Sequence, residues 1–354
     1  MNLSDFDYEY PKELIAQRPL ERRDASRMMV IDRFSRSRRH SSIDRLPDEL
    51  VEGDLLVVND SKVVPARIFG TRCTGEKLEV LVVEPHDAPQ AANPPKPSIW
   101  RCLLKKAKRI RGGEKFHFGM QSTATVRGRH GIFLLLEFEP GALELAMHHH
   151  GVPPLPPYIE RDGHAAYTEE DRERYQTVYA KNPGSAAAPT AGLHLSDELV
   201  ERIEKRGIGI AHLTLHVGID TFAPVRAESI LEHRMHGERY SISGEAADAV
   251  IRAKKEGRRV IAVGTTTTRA LESAALKGGG GRVAAGSSTT ELFIKPGFEF
   301  RAVDAMLTNF HQPRSTLLVL VSAFAGREFI LESYAEAVRE GYRLFSYGDC
   351  MLIT

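Results

Sequence analysis

VIAVGTTTTRALES, residues 260–273, carries the reading that decides the fold. Its first four residues are apolar and mostly β-branched, so they read as a short buried strand that ends at Gly264. Four threonines form the turn, and a helix follows near 267–277 with Arg269 in its first turns. A strand passing through glycine directly into a helix is the building block of an α/β layer. Outward from it the same alternation continues. Upstream lie a helix near 245–256 and a strand at 208–217. Before these comes a helix capped by Ser196, with Asp197 and Glu198 in its first turn, Leu199, Val200 and Ile203 on one face and Gly207 at its end. Downstream the pattern predicts a strand at 291–295, a helix near 327–340 and a last strand at 343–353. DLLVVN (54–59) reads as a buried strand and Pro11–Ala16 as a short helix. Alternating strands and helices imply a largely parallel sheet covered by helices.

Between the first strand and this series the texture differs. ARIFG, EKLEVLVVE, WRCLLK, KFHFG, TATVRG and IFLLLEF follow one another between about Ala66 and Phe138, punctuated by glycine and with no helical period. Short strands at this spacing predict a small barrel or sandwich. The expected architecture is an α/β domain formed from both chain ends, 1–65 plus 151–354, with an all-β barrel-like domain, 66–150, inserted between them. A loop rich in proline and alanine, 85–97, falls inside the inserted part, and the proline-rich GVPPLPPYI (151–159) leaves it.

Bulk properties narrow the function. A net charge of +1 gives no global field for nucleic acid, so any RNA contact must come from local clusters. Three scattered cysteines (Cys73, Cys102, Cys350) argue against a disulfide framework or a zinc site and fit a reducing, cytoplasmic setting. The opening MNLSDFDYEYPKEL lacks the basic and apolar regions of a signal peptide. The longest apolar run, Leu317–Ala325, is far below the roughly 20 residues needed to cross a bilayer, so no membrane is expected. A monomer is the default expectation.

Several segments carry groups suited to chemistry. At the start of the 267–277 helix, open backbone N–H groups with Thr265, Thr266 and Arg269 would suit a carboxylate or a phosphate; an unliganded threonine cap explains the same residues. The GGGG run (278–281) follows the helix at the wrong end of its dipole for phosphate and reads as a loop. In IAHLTLHVGIDTF (210–222), alternation puts His212, Thr214 and His216 on one strand face. Four strand residues separate the histidines by about 13 Å, too far for one metal ion. They read as polar lining at the C-terminal edge of the sheet, where open α/β sheets bind ligands, or as satisfied core residues. HRMHGE (233–238) brings His236 and Glu238 close, a pairing suited to proton abstraction, although a polar surface turn looks the same. The small-residue segment NPGSAAAPTAGLHL (182–195) lets backbone approach a ligand and adds Thr190 and His194 as donors, or is a linker. Basic clusters occur at Arg33, Arg36, Arg38 and Arg39 and in KKAKRIRGGEK (105–115). Lys105, Lys106, Lys108, Arg109 and Arg111 are candidate contacts to RNA phosphates or part of a solvated face. The triple histidine 148–150 is given no function.

Taken in order, DYEYPKELIAQRPLERRDASRMMVIDR (7–33), NDSKVVPARIFG (59–70), PLPPYIER (154–161), RYQTVYAKNPGSAAAPTAGLHL (174–195), LTLHVGIDTFAPVR (213–226), MHGERY (235–240), VGTTTTRALES (263–273), residues 289–326 and YRLFSYGDCMLI (342–353) resemble the S-adenosylmethionine:tRNA ribosyltransferase-isomerases of queuosine biosynthesis. The likeness runs from near residue 3 to 353. Asp220 stands where many members have glycine, Ala186 where valine is common and Gly237 where serine is frequent. The resemblance implies a transferase that moves and isomerises the ribosyl part of S-adenosylmethionine onto 7-aminomethyl-7-deazaguanine at the tRNA wobble position. Epoxyqueuosine-tRNA forms, and adenine and methionine leave. S-adenosylmethionine is then a substrate, with no prosthetic group and no metal expected. The absence of a glycine-rich methyltransferase fingerprint agrees with this use. On this reading His212, His216, His236 and Glu238 are the candidates for proton transfer. Thr190, His194, Thr265, Thr266 and Arg269 are candidates for substrate binding, and Asp349 for the edge of the guanine-like base. Residues alone leave a noncatalytic tRNA-binding protein, or another S-adenosylmethionine-dependent RNA-modifying transferase, as alternatives.

Overall fold

The computed structural model of the protein describes residues 1–86, 98–104, 109–218, 230, 232–233 and 235–354. Lys105, Lys106, Lys108, Asp220 and nearly all of the 85–97 loop lie outside them. The chain divides into two compact units: Met1–Lys62 with Pro156–Glu160 and Arg174–Thr354, and Val63–Leu155 with Arg161–Glu173. The second unit thus takes in residues 161–173, which the sequence pattern assigns to the α/β part.

The first unit is built on one nine-stranded sheet. In spatial order its strands are Gly286–Thr290, Glu238–Ile242, Gly209–Leu215, Leu55–Asn59, Val260–Val263, Ala305–Asn309, Cys350–Ile353, Arg27–Asp32 and Ser37–Ser42. The four strands from Gly209–Leu215 to Ala305–Asn309 run parallel. Outside them, antiparallel pairings appear on both flanks, so the sheet is mixed rather than largely parallel. One cause is countable. Two helices, Thr316–Ala325 and Arg327–Arg339, separate Ala305–Asn309 from Cys350–Ile353, and an even number of crossings returns the chain in the opposite direction.

Both faces of the central strands are buried, which is why they read as continuous apolar runs. Leu56, Val58, Ile261, Val263 and Leu307 point to a core shared with Leu199 and Ile203 of the Asp197–Lys205 helix. Leu55, Val57, Ala262 and Met306 point to the other core, with the Gly244–Lys255, Thr265–Lys277, Thr316–Ala325 and Arg327–Arg339 helices. Serine opens three of these helices: Ser196, Ser243 and Ser315 accept from the backbone N–H of Leu199, Ala246 and Leu318. Each such cap contributes about 1 kcal/mol.

Some boundaries move. The strand expected at 291–295 lies at Gly286–Thr290, because those residues ladder with Glu238–Ile242, while Ile294 turns into the core with Leu292 and Phe293 packed beside it. The last strand is only Cys350–Ile353, and the Pro11–Ala16 segment holds a single 3-10 turn, Lys12–Leu14.

The second unit contains a closed antiparallel barrel. Its strands, in order around the wall, are Arg67–Arg72, Lys77–Pro85, Ser98–Leu104, Phe133–Phe138, Ser122–His130 and Lys115–Phe118. Thr71 opposite His117 and Arg72 opposite Phe116 close the seam. The backbones cross tightly there: a Cβ at Gly70 would fall 2.5 Å from the His117 carbonyl oxygen. Ile68, Val80, Cys102, Phe116, Leu134 and Leu136 fill the interior. A helix that the sequence pattern does not predict, Ala142–His150, adds Leu143 and Ala146 to this core and ends in the triple histidine. Among the described residues no helix is long and apolar enough to cross a membrane.

Candidate active site

Several buried polar groups lie at the C-terminal ends of the parallel strands, among them Asn59, Thr265, Thr266, Thr308 and Asn309. After Val263 the chain turns at Gly264, whose φ of +96° favours glycine, and its N–H donates to Leu307 O at 2.8 Å. The helix then begins at Thr265. Thr267 and Thr268 turn their hydroxyls back to the carbonyls of Val263 and Gly264, at 2.7 and 3.1 Å. Thr265 and Thr266 instead line a crevice of about 30 Å3, with Thr190, Val217, Asn309 and His311 among its other walls. Thr266 Oγ1 is buried without a hydrogen-bond partner.

The next strand supplies the far wall. Asn309 follows Thr308 at the strand end, and both are buried. Thr190 donates to Asn309 Oδ1 at 3.0 Å, and the Asn309 amide contacts His194 Nε2 at 3.0 Å and Phe345 O at 3.2 Å. His194 Nδ1 meets Ser26 Oγ at 3.1 Å. Burial, reinforced by Arg343 and Arg23, lowers the His194 pKa to about 4, so the ring is neutral at pH 7. His311 is also buried, beside Thr308 Oγ1 at 2.9 Å, and burial lowers it to about 3.

The remaining candidates separate into other places. Arg269 forms a buried ion pair with Glu238 and its Nε donates to Leu292 O at 3.1 Å, while its Nη2 has no hydrogen-bond partner. Glu238 also accepts from Gly218 N at 3.0 Å. Two residues that the sequence suggested for different jobs are therefore partners. His236 stands two residues before Glu238, and the neighbouring His233 packs edge-on to Phe293 with centroids 5.3 Å apart. Burial, then the proximity of His236, lowers the His233 pKa.

His212, Thr214 and His216 do share a strand face, as alternation predicts. His212 is exposed beside the Tyr179 ring, and Thr214 donates to the Asp60 carboxylate at 2.6 Å. Asn182 donates to both Asp60 and Thr214. His216 is half-buried against Gly184, its Nδ1 has no partner, and burial followed by Arg239 lowers its pKa. It opens on a groove of about 380 Å3 with Arg239, Ser241, Ser287 and Ser288, not on the Thr265–Thr266 crevice. Asp349 is 2% exposed and accepts from the backbone N–H groups of Arg27 and Arg343, at 2.9 and 2.8 Å. That arrangement braces the turn before the last strand. Arg109 and Arg111 are exposed residues of the barrel unit.

Asn309, His311, Ser26, Asp60 and Asn182 are absent from the sequence-derived set. Their one signal is position inside the long segments that carry the resemblance; none sits in a spacing that marks chemistry. A larger hollow of about 640 Å3, lined by Lys254, Lys255, Arg282 and Arg301, carries none of the crevice groups. The crevice differs from it in bringing the partnerless Thr266 hydroxyl together with Thr190, Asn309 and the open start of a helix. Among the described residues no group of three or more His, Cys, Asp or Glu side chains is placed to hold a metal ion.

Known proteins match this chain over its full length. The profile of the family described as "Queuosine biosynthesis protein" matches residues 3–353. The S-adenosylmethionine:tRNA ribosyltransferase-isomerase of Syntrophotalea carbinolica is 48% identical, with 100% of both chains covered. The protein of that name from an Anaeromyxobacter species is 49% identical, over 100% of this chain and 99% of the relative. The crystal structure of an S-adenosylmethionine tRNA ribosyltransferase from Thermotoga maritima is similar with a TM-score of 0.56. It shares 35% sequence identity, over 99% of this chain and 100% of that one. With its mixed sheet, closed barrel and end-to-end sequence match, the chain belongs to the queuosine biosynthesis protein family.

Proposed function

We propose that this protein is an S-adenosylmethionine:tRNA ribosyltransferase-isomerase that builds the epoxycyclopentane part of queuosine on tRNA. One observation carries the reading: relatives with that name match at 48–49% identity over essentially their whole lengths and the whole of this chain. In finer detail, the acceptor is 7-aminomethyl-7-deazaguanine at the wobble position, and the protein works as a monomer in the cytoplasm.

The chemistry follows from the sulfonium of the donor. Its positive charge acidifies the adjacent ribose C5′, so a base can remove a proton there and leave an ylide. Adenine departs with a proton from an acid, the aminomethyl nitrogen bonds to the sugar fragment, and epoxide closure expels neutral methionine. The protein must supply the base and the acid, hold the methionine end, and exclude water from reactive intermediates. His216, whose ring is kept neutral by burial, is a candidate to accept a proton, and His212 and His236 are the candidates for the second transfer. Glu238 acts through Arg269 by holding it in place, and Asp349 supports the fold rather than the base. Thr190, Thr265 and Thr266 bind substrate, with His194 behind them. Arg109 and Arg111, with Lys105, Lys106 and Lys108, contact tRNA phosphates.

The test is product analysis. Purified protein is mixed with tRNA carrying the aminomethyl base and with cofactor labelled in the ribose or in the methyl group. Ribose label must enter tRNA with stoichiometric adenine release. Methyl label in tRNA would make the protein a methyltransferase, and tRNA binding without adenine release would make it a noncatalytic binder.

A further inference from the structure

The hydrogen bonds around Asn309 fix the direction of the protons from His194 to the crevice. One end of its side-chain amide reaches the Phe345 carbonyl at 3.2 Å, and a carbonyl only accepts, so that atom is Nδ2. The other end is then Oδ1, and the Thr190 hydroxyl 3.0 Å away must donate to it. Nδ2 also donates to His194 Nε2, so that ring carries its proton on Nδ1 and gives it to Ser26 Oγ. The neutral state of His194 agrees with this tautomer. Thr190 has no proton left to offer. Towards the crevice it presents only oxygen lone pairs, and it can recognise only a donor.

The facing wall has the opposite polarity. The Thr265–Lys277 helix starts there with 13 residues behind it and with Gly264, which has no side chain to cap it, at its N-terminus. Its first N–H groups are open, and the helix dipole favours negative charge. Thr266 is 7% exposed, lines the same crevice, and its hydroxyl has no partner. Arg269 gives Nη1 to Glu238 and Nε to Leu292 O, while its Nη2 has no partner; the groups that line the crevice itself are the helix end and Thr266. The crevice is small, about 30 Å3, so it takes the compact charged tip of a ligand and not a nucleoside.

We propose that this crevice is an α-amino-carboxylate subsite: Thr190, held as an acceptor by Asn309, takes the ammonium, and Thr266 with the helix N-terminus takes the carboxylate. It rests on the reading that S-adenosylmethionine is the donor substrate, and it assigns the methionine end of that substrate to this place. Asn309 and His194 are positioning residues, acting through Thr190. The helix is thereby used for a carboxylate rather than for an RNA phosphate, since a phosphate would find at Thr190 an acceptor and nothing to accept from.

The experiment is calorimetric titration of the intact protein with S-adenosylmethionine, its deaminated analogue and its decarboxylated analogue. Thr190→Val weakens S-adenosylmethionine about tenfold and leaves the deaminated analogue unchanged, as expected for loss of one charged hydrogen bond. Thr266→Val weakens S-adenosylmethionine by a similar factor, about tenfold, and leaves the decarboxylated analogue unchanged. Thr190→Ser restores the wild-type pattern. Equal losses for all three ligands, or no loss for any, overturn the assignment. Adenine release is measured separately, so failure of the enzymatic reading and failure of this subsite give different results.

Discussion

Arg269 and Glu238 form an ion pair that is nearly sealed from water, with 3% and 6% of the two residues exposed. Removing one charge leaves the other buried without compensation, which costs about 3–5 kcal/mol. Glu238→Gln is therefore expected to lower the unfolding free energy by that much, measured by equilibrium unfolding in urea. Glu238→Gln combined with Arg269→Met recovers part of the loss. An unchanged midpoint in the single variant would mean that the pair is wet.

His194 and His311 set a pH dependence. Burial holds their folded pKa values at about 4 and about 3, against an ordinary value of 6.5. Below pH 6.5 the unfolded chain binds protons that the folded chain refuses. The stability from neutral burial is thus complete above pH 6.5 and is lost as pH falls towards 4 and then 3. For His194 alone it amounts to about 3 kcal/mol. Unfolding free energy followed from pH 7 to 4 is expected to fall less steeply in His194→Gln than in the wild type; parallel curves would show that the ring is solvated.

Gly192 is pressed against Tyr179. A Cβ there would lie 2.1 Å from the tyrosine oxygen and 2.9 Å from Thr177 Cγ2. Gly192→Ala must displace the ring or the Thr190–His194 turn, at about 1–3 kcal/mol. Thermal unfolding should show the loss, and adenine release should slow as Thr190 shifts. A variant with full stability and full rate would place the segment elsewhere.

The histidine assignments are separable by single-turnover kinetics. His216→Ala is expected to slow adenine release by about 100-fold or more, general acid–base catalysis contributing roughly 10²–10⁴-fold. Its effect should fade at high pH, where hydroxide substitutes. If His216→Ala and His236→Ala both retain the normal rate, proton transfer belongs to other groups.

Arg109 and Arg111 offer exposed positive charge on the barrel unit. Replacing both with glutamine should weaken tRNA binding and flatten the plot of log affinity against log salt, by about one for every phosphate no longer neutralised. Filter binding at several salt concentrations measures the slope. An unchanged slope removes them from the interface.

Elements with a strong period or a cap were legible in the sequence. The helices opened by Ser196 and after Gly264 lie within two residues of their expected positions, and the barrel strands fall where glycine punctuates the apolar runs. Ala305–Asn309 escaped because AMLTN offers only three apolar residues before Thr308 and Asn309, too short a run to stand out. Ser37–Ser42 escaped because SRRHSS is a polar edge strand that only its partner identifies. The site divides in the same manner. Thr265 and Thr266 advertised themselves through the strand–glycine–helix turn. Asn309 and His311 did not, since what makes them matter is burial and, for Asn309, a partner at His194 more than a hundred residues away. The ion pair of Arg269 with Glu238 reversed an inference that treated each residue as free, because sequence distance hides a salt bridge formed between a helix and a strand.

The strand order also constrains how the chain is made. Leu55–Asn59 lies between Gly209–Leu215 and Val260–Val263, and Arg27–Asp32 pairs with Cys350–Ile353. Segments synthesised first thus wait for ones that leave the ribosome some 150 to 320 residues later, a span that raises the entropic cost of closure only slowly but delays it in time. The barrel has no such delay, since its strands lie within Arg67–Phe138. During translation it can therefore be finished and inert while the apolar N-terminal strands are still unprotected, which makes those strands the natural place for a chaperone to hold the nascent chain.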